Sequence, residues 1–107
     1  MDKLHTFDAD ELMRGILTLR TVEECYRFFE DVCTVKEIAD MAQRLKTAKM
    51  LYRGYNYVEV NKETGASSAT ISRVSKCLEY GDGGYRTVIE RLEKQDSAPA
   101  PQDGEEK

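Results

Sequence analysis

Histidine is nearly missing from this chain, with a single residue, His5, among 107. Cysteine is scarce as well: Cys25, Cys33 and Cys77 are odd in number, and no two stand at Cys-x-x-Cys spacing. A disulfide framework or a zinc site is therefore not expected, and no metal or other cofactor is implied. Cys25 and Cys33 fall at helical spacing among apolar residues, where cysteine usually serves as a small core hydrophobe. Catalysis would need a nucleophile with its base, a metal cluster or a phosphate-cradling loop. The one glycine-rich stretch, Gly81-Asp82-Gly83-Gly84, has no strand before it and reads as a turn, so an enzyme is not expected. No apolar run approaches the roughly 20 residues that would span a bilayer. The opening Met1-Asp2-Lys3-Leu4-His5 leads into acidic residues instead of the apolar core of a signal peptide. A cytoplasmic chain without membrane contact is the expectation. No alternating strand pattern stands out either, which leaves an all-α reading.

What is present is charge, and its arrangement matters more than the net of −4. Residues 1–35 carry four basic and eight acidic side chains, and residues 77–107 repeat those numbers. Residues 36–76 invert them, with eight basic against four acidic. A chain acidic at both ends and basic in the middle suits a molecule that turns one face to phosphate. At this length a single helical domain has few residues with which to complete a core, so dimerisation is expected.

Helix starts recur where an oxygen-bearing side chain precedes a glutamate by three residues: Asp8 to Glu11, Thr21 to Glu24, Thr34 to Glu37 and Asn56 to Glu59. Apolar residues return at helical spacing after each start. Leu12, Met13, Ile16 and Leu17 make one stripe, and Val22, Cys25, Phe28, Phe29 and Val32 a second. A third, longer stripe runs through Val35, Ile38, Ala42, Leu45, Ala48 and Leu51. Gly54 is suited to ending that third helix. Two shorter helices are expected near 56–63 and 67–79, joined by Thr64-Gly65-Ala66, and a last one near 85–94. These make one helical domain over residues 1–94. From Gln95 onward apolar content nearly vanishes, and residues 95–107 read as a disordered acidic tail.

The stretch 56–79 has the spacing of a helix-turn-helix. Gly65 supplies the turn, and Val60, Ile71 and Val74 are placed to fill the angle between the helices. Asn61 occupies a position where a small residue would allow closer approach, so the motif is expected to be slightly open there. The second helix begins with Ser67, Ser68, Ala69, Thr70 and Ser72. Such small side chains let a helix start enter the major groove and reach bases or phosphates. Arg73 and Lys76 follow on the same helix, while Lys46, Lys49, Arg53 and Lys62 would add non-specific attraction to phosphate.

Gly65-Ala66-Ser67-Ser68-Ala69-Thr70-Ile71-Ser72-Arg73 resembles the recognition segment of the tryptophan repressor superfamily. Together with Glu24-Cys25-Tyr26-Arg27-Phe28-Phe29-Glu30-Asp31 and Arg73-Val74-Ser75-Lys76-Cys77-Leu78-Glu79-Tyr80-Gly81, it is more similar still to the YerC/YecD group of that superfamily. The resemblance covers about residues 10–93. It implies a protomer of about six helices interlaced with a second copy, and a transcriptional regulator, most simply a repressor, on palindromic double-stranded DNA.

It also implies a question about an effector. Arg44 and Arg73 stand where two repressor arginines bracket an indole ring, and guanidinium planes do stack on aromatic faces. Val74, however, replaces the repressor's small glycine, and Cys77 replaces a serine near the ligand. A small-molecule effector, if there is one, is therefore not expected to be tryptophan. Two rival readings remain at this point: a tryptophan-dependent repressor, and a helical protein-interaction module that does not bind DNA.

Overall fold

Local capping chemistry accounts for most of the helix starts in the computed structural model, which describes residues 3–97. Helix α1, Phe7–Ile16, is capped by Thr6, whose Oγ1 accepts from Ala9 N at 3.0 Å. The expected cap was Asp8, two residues later; Thr6 takes the role, and Asp8 falls in the first turn, where its charge complements the helix dipole. Helix α2, Val22–Val32, is capped by Thr21, which accepts from Glu24 N. Helix α3, Val35–Tyr52, starts with a reciprocal pair: Glu37 N donates to the Thr34 hydroxyl, and Thr34 N donates to the Glu37 carboxylate.

The end of α3 is equally well determined. Gly54 has φ +94°, a conformation that costs a residue with a Cβ about 1–2 kcal/mol. With Gly54 so placed, Gly54 N donates to Leu51 O and Tyr55 N to Met50 O, which satisfies two carbonyls of the last turn. Helices α4, Tyr57–Thr64, α5, Ser68–Tyr80, and α6, Gly84–Ser97, follow. Six helices and no strand make up the described residues. Helix α6 continues through Gln95, Asp96 and Ser97, which the sequence assigned to a disordered tail. The rest of that expected tail, residues 98–107, lies outside the described residues.

The chain divides within α3 into two compact units, one reaching Asp40 and one beginning at Met41. In the first unit, α1 and α2 bury no residue completely. Leu17 and Val22 are 83% and 74% exposed, and Cys25 and Cys33 are only half-buried. In the second unit, Ala48 of α3, Val74 and Leu78 of α5 and Ile89 of α6 form a buried cluster flanked by Leu45, Leu51, Tyr52 and Tyr85. Val60 of α4, Ala66 of the turn and Ile71 of α5 form another, against Met50 and Leu51. The second cluster sets the angle between α4 and α5. Val74 belongs to the first cluster instead, because its side chain faces α3 and α6.

Candidate nucleic-acid interface

The α4–turn–α5 segment is built from short-range bonds. Asn56 and Glu59 form a complete capping box at the start of α4. Gly65 closes that helix at φ +75°, its N–H bonding to Asn61 O at 2.8 Å. The Thr64 hydroxyl donates to Val60 O and accepts from Ala66 N, so both ends of the turn are tied. Gln43 of α3 reaches across and donates to Thr64 O at 3.1 Å.

Asn61 behaves differently from the sequence expectation. Its Nδ2 donates to Ala66 O at 2.8 Å, across the turn. The side chain therefore closes the motif where it was expected to leave a gap. An amide can bridge two segments held slightly apart, which is why a small residue is not needed there.

Ser67 caps α5, its Oγ accepting from Thr70 N at 3.2 Å, and Ser67 and Thr70 hydroxyls bond to each other. Ser67, Ser68 and Ala69 are exposed, while Thr70 and Ser72 are half-buried. Ala69, Ser72, Arg73, Lys76 and Cys77 line one shallow concavity along α5. Arg73 and Lys76 are exposed and, among the described residues, form no ion pair. Helix α5 thus presents small hydroxyl residues at its start and two exposed cations about one turn later. Arg44 is exposed on α3 and is not part of the concavity that holds Arg73. Beside Arg73, Val74 is 1% exposed and packed among Ala48, Leu78 and Ile89. Hydrocarbon fills the space inward of this point of α5.

A second basic feature lies between α3 and α4. Lys46, Arg53 and Lys62 line a groove of about 440 Å³ together with Met50, Tyr55, Glu59 and Glu63. One of the two carboxylates, Glu59, is engaged in capping α4. Lys49 is half-buried on α3. Arg53 differs from the other cations: its Nε donates to Glu93 of α6 at 3.0 Å.

That ion pair belongs to a set of contacts between α6 and the ends of α3 and α5. The Tyr52 hydroxyl donates to Glu90 at 2.8 Å, and the Arg86 guanidinium lies 5.6 Å from the centre of the Tyr52 ring. Arg86 Nε also donates to Leu78 O near the end of α5, where carbonyls lack helical partners. Holding its proton against the Glu90 carboxylate pushes Tyr52 above the ordinary tyrosine range, with burial and the charges of Glu90 and Glu93 adding to the shift. Sequence reasoning missed this set because its partners stand 38 and 40 residues apart. Within α6 the spacing of Arg86, Ile89, Glu90 and Glu93 does place them on one face, the only local sign of it.

Comparison with known proteins agrees with this geometry. The family model described as Trp repressor protein matches residues 8–93. The chain belongs to the Trp repressor family. It is 49% identical to YerC of Bacillus subtilis strain 168, itself uncharacterised, over 94 residues, covering 88% of this chain and 90% of YerC. The crystal structure of a candidate Trp repressor from Staphylococcus aureus matches with a TM-score of 0.82 and 48% identity, covering 85% of this chain and 91% of that one. A TrpR-like protein from Eubacterium eligens ATCC 27750 gives the same TM-score and identity, with 94% of its chain covered. The Trp repressor family is one of helix-turn-helix DNA-binding regulators, and α4 and α5 are the helices of the motif here. Among the described residues, no helix is long and apolar enough to cross a membrane.

Proposed function

We infer that the protein is a sequence-specific transcriptional regulator that acts as a homodimer on a palindromic operator, with repression as its mode. The observation that carries this reading is α5, whose exposed start is lined by small hydroxyl residues and followed by the exposed Arg73 and Lys76, which form no ion pair among the described residues. Ser67, Ser68, Ala69, Thr70 and Ser72 meet bases or nearby phosphates, and Arg73 and Lys76 meet the backbone. Lys46, Lys49, Arg53 and Lys62 add attraction that does not depend on sequence. The apolar stripes of α1 and α2, which a single chain leaves open to water, support dimerisation. Two recognition helices related by a two-fold axis enter successive major grooves roughly 34 Å apart. Tryptophan is not the effector in this reading, because Val74, packed among Ala48, Leu78 and Ile89, fills the space beside Arg73.

The test is selection of bound duplexes from random DNA at near-physiological salt, with and without tryptophan. A palindrome recovered without ligand is the expected result. Recovery only with tryptophan would reinstate an effector pocket, and no enrichment from a folded dimer would favour an interaction module. Thr70→Asp combined with Arg73→Glu should abolish binding while sedimentation still reports the wild-type oligomer. Normal operator binding by that double variant would remove α5 from the interface.

A further inference from the structure

We propose that Glu93 of α6 competes with DNA phosphate for Arg53, and so sets the affinity and salt dependence of DNA binding. The proposal rests on the DNA-binding reading above and adds a residue to it that carries the wrong charge for a phosphate contact.

Three observations carry it. Arg53 lines the groove shared with Lys46 and Lys62, where three cations converge on one surface. Lys46 and Lys62 have no ion-pair partner among the described residues, whereas Arg53 is held by Glu93 at 3.0 Å. The pair is accessible, with side chains 48% and 36% exposed, so an incoming phosphate can reach the guanidinium without unfolding anything. Arginine suits such sharing, because its five donors form a planar fork that serves two oxyanions at once. The Arg53 Nε is the atom engaged by Glu93, which leaves the two terminal nitrogens for a phosphate.

Glu93 is also held where it can compete. It lies one turn beyond Ile89, which is fully buried, and three residues after Glu90, which accepts from Tyr52. These contacts fasten α6 beside the end of α3 and keep the Glu93 carboxylate against Arg53, which itself lines the groove. When phosphate approaches, Arg53 must divide its charge between two oxyanions, which weakens binding relative to a neutral side chain at position 93.

The experiment is a double-mutant cycle on a fixed duplex, the strongest one recovered by selection, titrated across salt concentrations. Glu93→Gln keeps the size of the side chain and should tighten binding by roughly two- to five-fold, the range expected for release of one exposed pair. Its log-log salt slope should steepen toward one further phosphate, about 0.9. Arg53→Gln should weaken binding and flatten the slope, and adding Glu93→Gln to it should then change affinity little. Asp96→Asn, the same charge change one turn later on α6 at an exposed residue with no ion pair among the described residues, serves as the control and should tighten binding less. Circular dichroism checks that each variant keeps wild-type helicity. Glu93→Gln that binds no tighter than wild type, or that tightens binding equally in the Arg53→Gln background, overturns the proposal. Wild-type protein that retains no duplex at all would instead overturn the DNA-binding reading itself, a result the variants would not be needed to see.

Discussion

Asn61 is the residue whose role turns most on one bond. Its amide donates to Ala66 O across the turn, and Ala66 is buried. Asn61→Ala leaves that carbonyl without its donor and should cost about 1–2 kcal/mol. Asn61→Asp should cost more, since a carboxylate placed there meets the carbonyl with like charge; thermal melting of the two variants checks the order. Thr47 presents the opposite case. It is fully buried, and its Oγ1 has no hydrogen-bond partner among the described residues. An unpaired buried hydroxyl costs on the order of 1–3 kcal/mol. Thr47→Val should therefore raise the melting temperature, where about 1 kcal/mol corresponds to roughly 4–8 °C in a domain of this size. Tyr52 adds a dependence on pH. Its folded pKa is raised, so its contribution is fully present below the unfolded tyrosine pKa and is lost as pH rises through the folded value. In an alkaline titration followed by tyrosinate absorbance, Tyr52→Phe should remove the component that ionises late.

At the scale of elements, capping was legible because its partners are three or four residues apart. Thr21, Thr34 and Asn56 accept from the backbone three residues on, as their spacing to a glutamate foretells, whereas at α1 the cap is Thr6 and not Asp8. Gly65 was legible for a related reason, since a turn between two helices calls for a left-handed residue and glycine adopts that conformation without strain. Gly65→Ala should destabilise by about 1–2 kcal/mol. Its effect on the melting temperature should accompany weaker DNA binding, because the same turn orients α5. The extension of α6 to Ser97 was harder to read. Polar composition argued for a tail, but a helix already anchored by Ile89 and clasped through Glu90 and Glu93 can extend at little cost through residues that bury nothing.

At the scale of the whole molecule, the main fact is how little the first unit buries. The α2 face that includes Val22, Cys25, Tyr26 and Phe29 is apolar, yet Val22 and Tyr26 are 74% and 59% exposed. Such a stripe on a helix ordinarily faces a core. If a second copy covers it, the melting temperature should rise with protein concentration, since association stabilises only the folded state. Val22→Glu with Tyr26→Glu should then shift the species seen by sedimentation toward a monomer. A melting temperature independent of concentration would argue against the dimer.

The sequence by itself determined the number of helices, the caps of α2, α3 and α4, the Gly65 turn and the small hydroxyl start of α5, since each depends on residues within a few positions of one another. It also carried the charge split and enough similarity to place the chain in the Trp repressor family. Only the tertiary structure decided that Val74 packs toward α3 and α6, that Asn61 closes the turn, and that Arg53 is held by Glu93. Those outcomes depend on which distant side chains meet, and helical periodicity gives a residue's face without naming the partner opposite it.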